Sequence, residues 1–225
     1  MSPLNKRSSF RVKLYENSLT TVFLLLFIVF IVAQAYTGWK EHNESLQEKG
    51  SQAIQFMQYL QSGHFIQATF ENWESEFLQM ALFIVLSIWL RQKGSSESKS
   101  MAESEEVDKK PKAAADAPWP VKKGGIYLKI YQNSLSIVFF LLFILSFIAH
   151  FYGSLLDYNT EQAIENKPTV TMGEFLGISK FWFESFQNWQ SEFLSVAAIV
   201  YLTVYLRQKG SAQSKPVDAP NEENE

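Results

Sequence analysis

Shifted by 116 residues, the chain matches itself without a net insertion, so whatever the first half can fold into the second must be able to fold into as well. Tyr15, Asn17, Ser18 and Leu19 fall on Tyr131, Asn133, Ser134 and Leu135. Residues 70–99 (FENWESEFLQMALFIVLSIWLRQKGSSESK) fall on residues 186–215 (FQNWQSEFLSVAAIVYLTVYLRQKGSAQSK) with 17 of 30 positions identical. Chance agreement from ordinary residue usage would give about two. The chain therefore reads as a tandem duplication of a unit of about 85 residues.

Each unit holds one strong and one weaker apolar block. The strong ones are 19–35 (LTTVFLLLFIVFIVAQA) and 135–151 (LSIVFFLLFILSFIAHF), long enough for a hydrocarbon core of about 30 Å at about 1.5 Å per residue. The weaker ones, 77–90 and 193–206, reach only about 21 Å and span only if they extend back through the NWxSEF motif. Blocks of this length also suit a buried or re-entrant helix. Charge favours spans: sixteen Lys and Arg lie in the N-terminal arm, the central linker and the C-terminal tail, against Lys40, Lys49, Lys167 and Lys180 in the other two loops. That asymmetry predicts four spans with both ends and the linker cytoplasmic. The expected fold is an all-α membrane protein: two tandem two-helix hairpins in the same orientation, a parallel rather than inverted repeat. Residues 1–35 also have the grammar of a cleaved signal peptide, ending in Ala33, Gln34 and Ala35. The same helix recurs inside the chain, so the first block is read as a span.

Four segments follow: a first hairpin over 1–94, a linker over 95–125, a second hairpin over 126–211 and a tail over 212–225. The linker and tail are rich in Ser, Glu, Lys, Ala and Pro and read as flexible and solvated. The outer loops carry helical phase at Ile54, Met57 and Leu60, and a capping-box spacing at Thr171 and Glu174. Each predicts a short helix on the outer surface. At LRQKGS, Arg91, Lys93, Arg207 and Lys209 read as cytoplasmic interface anchors, with Gly94 closing the helix in a left-handed conformation.

The chemistry is sparse. With no cysteine, disulfides, thiol nucleophiles and cysteine metal sites are excluded. A net charge of -3 gives no reason to invoke nucleic acid. No HExxH, phosphate loop or nucleophile elbow is present. No catalytic residue, metal site or cofactor is assigned. The polar residues of the second span in each unit attract attention instead. Asn72, Glu76, Gln79 and Ser87 fall within about 80° on a helical wheel, as do Asn188, Glu192, Ser195 and Thr203. Gln34 and Glu76 lie at matching heights about 21 Å from the cytoplasmic ends, and so do His150 and Glu192. The expected intramembrane cluster is thus Gln34, Asn72, Glu76, His150, Asn188 and Glu192, with Gln34 meeting Glu76 and His150 meeting Glu192. A histidine beside a carboxylate can exchange a proton near neutral pH. Interhelical hydrogen bonding accounts for the same residues without transport.

In the paired motif NWESEFLQ…LRQKGSSESK and NWQSEFLS…LRQKGSAQSK the chain resembles a family of small bacterial integral membrane proteins of unknown function. The resemblance covers both hairpins and implies a bacterial inner-membrane location. The expected role is structural or accessory and non-enzymatic, with the lipid bilayer and a second copy or other membrane proteins as partners. A small proton or ion transporter using the carboxylates is the alternative, and a membrane enzyme the third.

Overall fold

The computed structural model describes residues 10–101 and 104–221. Lys6 and Arg7 of the basic arm, residues 102–103 of the linker and residues 222–225 of the tail lie outside the described residues. Among the described residues the regular secondary structure is helical, without strands. A short α1 (Phe10–Glu16) leads into the long α2 (Ser18–Glu48), then one turn of helix, α3 (Phe56–Tyr59), and α4 (Gly63–Leu86). The linker holds a 3-10 turn (Glu106–Asp108) and α5 (Trp119–Lys123). The second half runs α6 (Gly125–Gln132), α7 (Ser134–Ile164), α8 (Met172–Phe175) and α9 (Ser179–Tyr205).

Local chemistry explains the breaks. The side-chain amide of Asn17 donates to Lys13 O at 2.8 Å, and that of Asn133 to Lys129 O at 2.8 Å. Each satisfies a carbonyl at the end of the short leading helix, where the chain turns into the long one. After α2 and α7, one asparagine pins each following loop from both sides. Asn43 accepts from Ile54 N at 2.7 Å and donates to Ile54 O at 3.0 Å. Asn159 accepts from Val170 N at 2.8 Å and donates to Val170 O at 3.0 Å. Thr171 and Glu174 form the capping box of α8, Thr171 N donating to Glu174 Oε2 at 2.8 Å. Those bonds hold the Glu174 carboxyl below the usual carboxylate range.

Two helices, α2 and α7, are long and apolar enough to cross a membrane. Both run 31 residues, about 46 Å, well past the end of the apolar block. Only 6% and 11% of their apolar windows are buried, so neither is the core helix of a water-soluble globule. The more polar α4 and α9 have 24 and 27 residues.

The helix ends differ from the expectation at LRQKGS. The chain leaves α4 after Leu86 and α9 after Tyr205, ahead of Gly94 and Gly210, whose left-handed φ of 82° and 84° shapes the following turn. Arginine satisfies the final carbonyls instead. Arg91 Nη1 donates to the carbonyls of Ser87, Ile88 and Leu90, and Arg207 Nη1 to those of Thr203, Val204 and Leu206. Beyond the helices, Ser95 is buried against Thr203, the hydroxyls 2.9 Å apart. Lys93 and Lys209 are exposed on the same turns.

α4 lies at the centre. It packs most extensively along α7, next along α9, and only lightly against α2. Two glycines permit the α4–α7 approach. A β-carbon on Gly63 would collide with Asp157 N and stand 2.7 Å from Gly153 O; one on Gly153 would stand 2.5 Å from Gln67 N. Backbone meets backbone there, as small residues allow between membrane helices. We predict that Gly63→Ala and Gly153→Ala each destabilise the protein by about 1–3 kcal/mol through forced separation of the helices, read as a lowered midpoint of unfolding in detergent micelles.

Candidate functional site

The glycine crossing fixes what lies one and two turns further along. Antiparallel to each other, α4 and α7 carry Gln67 to Gly153, and the next turns bring Glu71 and Glu74 of α4 to His150 of α7. His150 and Glu74 are both 0% exposed, and His150 Nδ1 lies 3.0 Å from Glu74 Oε2. An ionised carboxylate only accepts, so the ring hydrogen on this side belongs to Nδ1. Trp189 of α9 donates from Nε1 to the other oxygen, Glu74 Oε1, at 3.1 Å. Three helices therefore meet on one carboxyl group.

The far side of the imidazole is different. His150 Nε2 has no hydrogen-bond partner among the described residues, and faces Glu184 Oε2 at 3.7 Å and Glu71 Oε2 at 3.9 Å. Glu184, on α9, is itself held: Ser154 Oγ donates to its Oε2 at 3.3 Å and Lys180 Nζ to its Oε1 at 2.9 Å. Phe181 packs its ring 5.0 Å from the imidazole centroid. With Phe175 and Leu155 it forms the apolar core of the second half, shielding the ring from water.

Lys180 links this cluster to the surface. Its ammonium also stands 3.8 Å from Asp157 Oδ2 and 3.5 Å from Gln67 Oε1. All three residues line a polar cleft of about 240 Å³, shared with Glu41, His42 and His64. The imidazoles of His42 and His64 approach to 4.7 Å between centroids, and Lys49 pairs with Glu161 at 2.8 Å. Tyr59 beneath them is bonded to His64 Nδ1 at 3.2 Å; burial pushes its phenol up to about 12.

The residues expected from sequence are distributed otherwise. His150 meets Glu74, not Glu192. Gln34 donates to Thr69 Oγ1 at 3.4 Å, not to Glu76. Asn72 and Asn188 donate to carbonyls of their own helices, Ala68 O and Glu184 O. The carboxyls of Glu76 and Glu192 lie beside each other. The reason is angular: Glu76 is two residues, about 200°, around the helix from Glu74, while the face against α7 carries Glu71, Glu74, Leu78 and Ala81. Sequence reasoning missed Glu71, Glu74 and Glu184. The signal lay in the duplication itself, because the positions 116 residues from Glu71, Glu74 and His150 hold Gln187, Gln190 and Gln34.

Residues 10–225 match the family described as Domain of unknown function (DUF6766), and the chain belongs to that family. No curated protein and no solved structure matches it.

Glu74 is the acceptor on which both His150 and Trp189 depend. Glu74→Ala should cost about 3–5 kcal/mol, because it strands a buried imidazole and an indole N–H. Glu74→Gln should cost less, its carbonyl still accepting from one of them. Glu76→Gln should stay within about 0.5 kcal/mol. Denaturant unfolding in micelles measures all three.

Proposed function

We propose that this DUF6766 member is a non-enzymatic, multi-pass protein of the bacterial inner membrane, whose two tandem hairpins are joined by the buried His150–Glu74 contact. The duplication of sequence supports the hairpin reading, as do asparagine-pinned loops at positions 116 residues apart. In this reading α4 and α9 complete four spans, turning Glu74 and Glu184 inward where α2 and α7 offer lipid an apolar face. Both chain ends and the linker lie in the cytoplasm, where the sixteen cationic residues concentrate. The contact that carries the proposal is the 3.0 Å approach of His150 in the second half to Glu74 in the first. Both side chains are fully buried, so each needs the other to remain so. The exposed apolar length of α2, from Leu19 to Val32, suits lipid and a helix of a second copy or another membrane protein. This supports a role in assembly.

One observation favours a second reading, proton or cation transfer. The outer cleft reaches the cluster through Lys180 and Asp157, giving charge a polar route from one side.

The chain has no cysteine, so single cysteines report sidedness directly. Lys112→Cys should react with a membrane-impermeant maleimide only from the cytoplasmic side, and Glu165→Cys only from the opposite side; the reverse pattern, or labelling of both from one side, sinks the four-span reading. In reconstituted vesicles Glu74→Gln should leave ion flux at background, as in the parent chain. Flux in the parent chain that Glu74→Gln removes would select transport instead.

A further inference from the structure

The carboxylates around His150 outnumber the cations that could balance them. Glu71, Glu74 and Glu184 all approach one imidazole within 4 Å, and Lys180 is shared between Glu184 and Asp157. Glu74 takes the Nδ1 hydrogen. Nε2, on a side chain 0% exposed, then points at two carboxylate oxygens with no hydrogen bond of its own among the described residues. A ring nitrogen facing two carboxylates without a hydrogen bond calls for positive charge between them, supplied by a proton on Nε2 or by a metal ion.

We propose that Glu71, His150 and Glu184 bind a divalent first-row transition-metal ion, with His150 Nε2 and one oxygen of each glutamate as ligands. The three atoms lie within 4.8 Å of one another. Around such an ion, ligand atoms at bond lengths near 2.1 Å stand about 3–4 Å apart. Closing the remaining gap takes small movements of two glutamate side chains. One imidazole with two carboxylates suits zinc, manganese or iron better than calcium or magnesium, which favour oxygen alone.

The surroundings match what a metal-binding histidine requires. Such a histidine gives its other ring hydrogen to a carboxylate, which orients the ring and raises its basicity. Glu74 does this, and Trp189 holds Glu74. Ser154 and Lys180 orient Glu184 in the same way. The polar cleft reaches Lys180, whose ammonium is bonded to Glu184, beside the ligand set. The ligands come from α4, α7 and α9, so binding would draw the two halves together.

The inference deepens the reading of this cluster as the joint between halves, yet the two fail separately. A chain that binds no metal but loses stability on Glu74→Ala overturns the metal site alone. A chain that binds metal but tolerates Glu74→Ala overturns the joint alone.

The full-length protein, stripped by chelator in micelles and titrated with Zn²⁺ in a calorimeter, should take up one ion per chain. Glu71→Gln and Glu184→Gln should each weaken binding at least tenfold, and Glu74→Gln about 10–100-fold through its effect on the ring. Glu192→Gln should bind as the parent does. Because the chain has three histidines, replacing His42 and His64 by alanine leaves His150 as the single imidazole. X-ray absorption of that zinc-loaded chain should then show one imidazole shell. Absence of stoichiometric Zn²⁺, unchanged affinity in both glutamate variants, or a zinc shell without imidazole overturns the proposal.

Discussion

The backbone crossing of α4 and α7 at Gly63 and Gly153 governs the rest of the structure. Without β-carbons at these two positions the helices approach until a β-carbon on Gly153 would stand 2.5 Å from Gln67 N, and their registers lock. From there every buried group follows by helix geometry. One turn further, His150 reaches Glu71; one more, Glu74. Larger residues at the crossing would hold the helices apart, and the imidazole could not bridge the gap.

That crossing also decides which helices are partners. A hairpin predicts that α4 packs chiefly on α2, its neighbour in sequence. Instead α4 lies along α7 and α9, and α2 stays at the margin with its apolar length exposed. The charged cluster is the counterpart of this arrangement. Acidic residues on α4 need a cation or donor, and α7 and α9 offer His150, Trp189 and, through Glu184, Lys180. At this depth the first half's own long helix carries Gln34, which reaches Thr69.

The two halves share a plan but not a chemistry. Asparagines 43 and 159 pin their loops alike, and arginines 91 and 207 close their helices alike. Where His150 stands, the other half has Gln34; where Glu71 and Glu74 stand, it has Gln187 and Gln190. Among the described residues one buried charged site therefore stands where the self-match would have allowed two. The acid that recurs, Glu76 and Glu192, lies outside it. Recurrence marked what each half needs for itself, and divergence marked what the halves make together.

Sequence alone determined the helical class, the long apolar stretches of α2 and α7, the capping box at Thr171 and Glu174, and the arginines at the helix ends. These depend on neighbours a few residues apart, where periodicity and side-chain type suffice. It also singled out His150. It did not determine that residue's partners, because depth along a helix says nothing of which way a side chain faces once neighbours are chosen. Tertiary packing made that choice through the glycines, turning Glu74 inward and Glu76 away across about 200° of helix. The site is built between α4, α7 and α9, across 110 residues of chain from Glu74 to Glu184, and no local spacing could have revealed it.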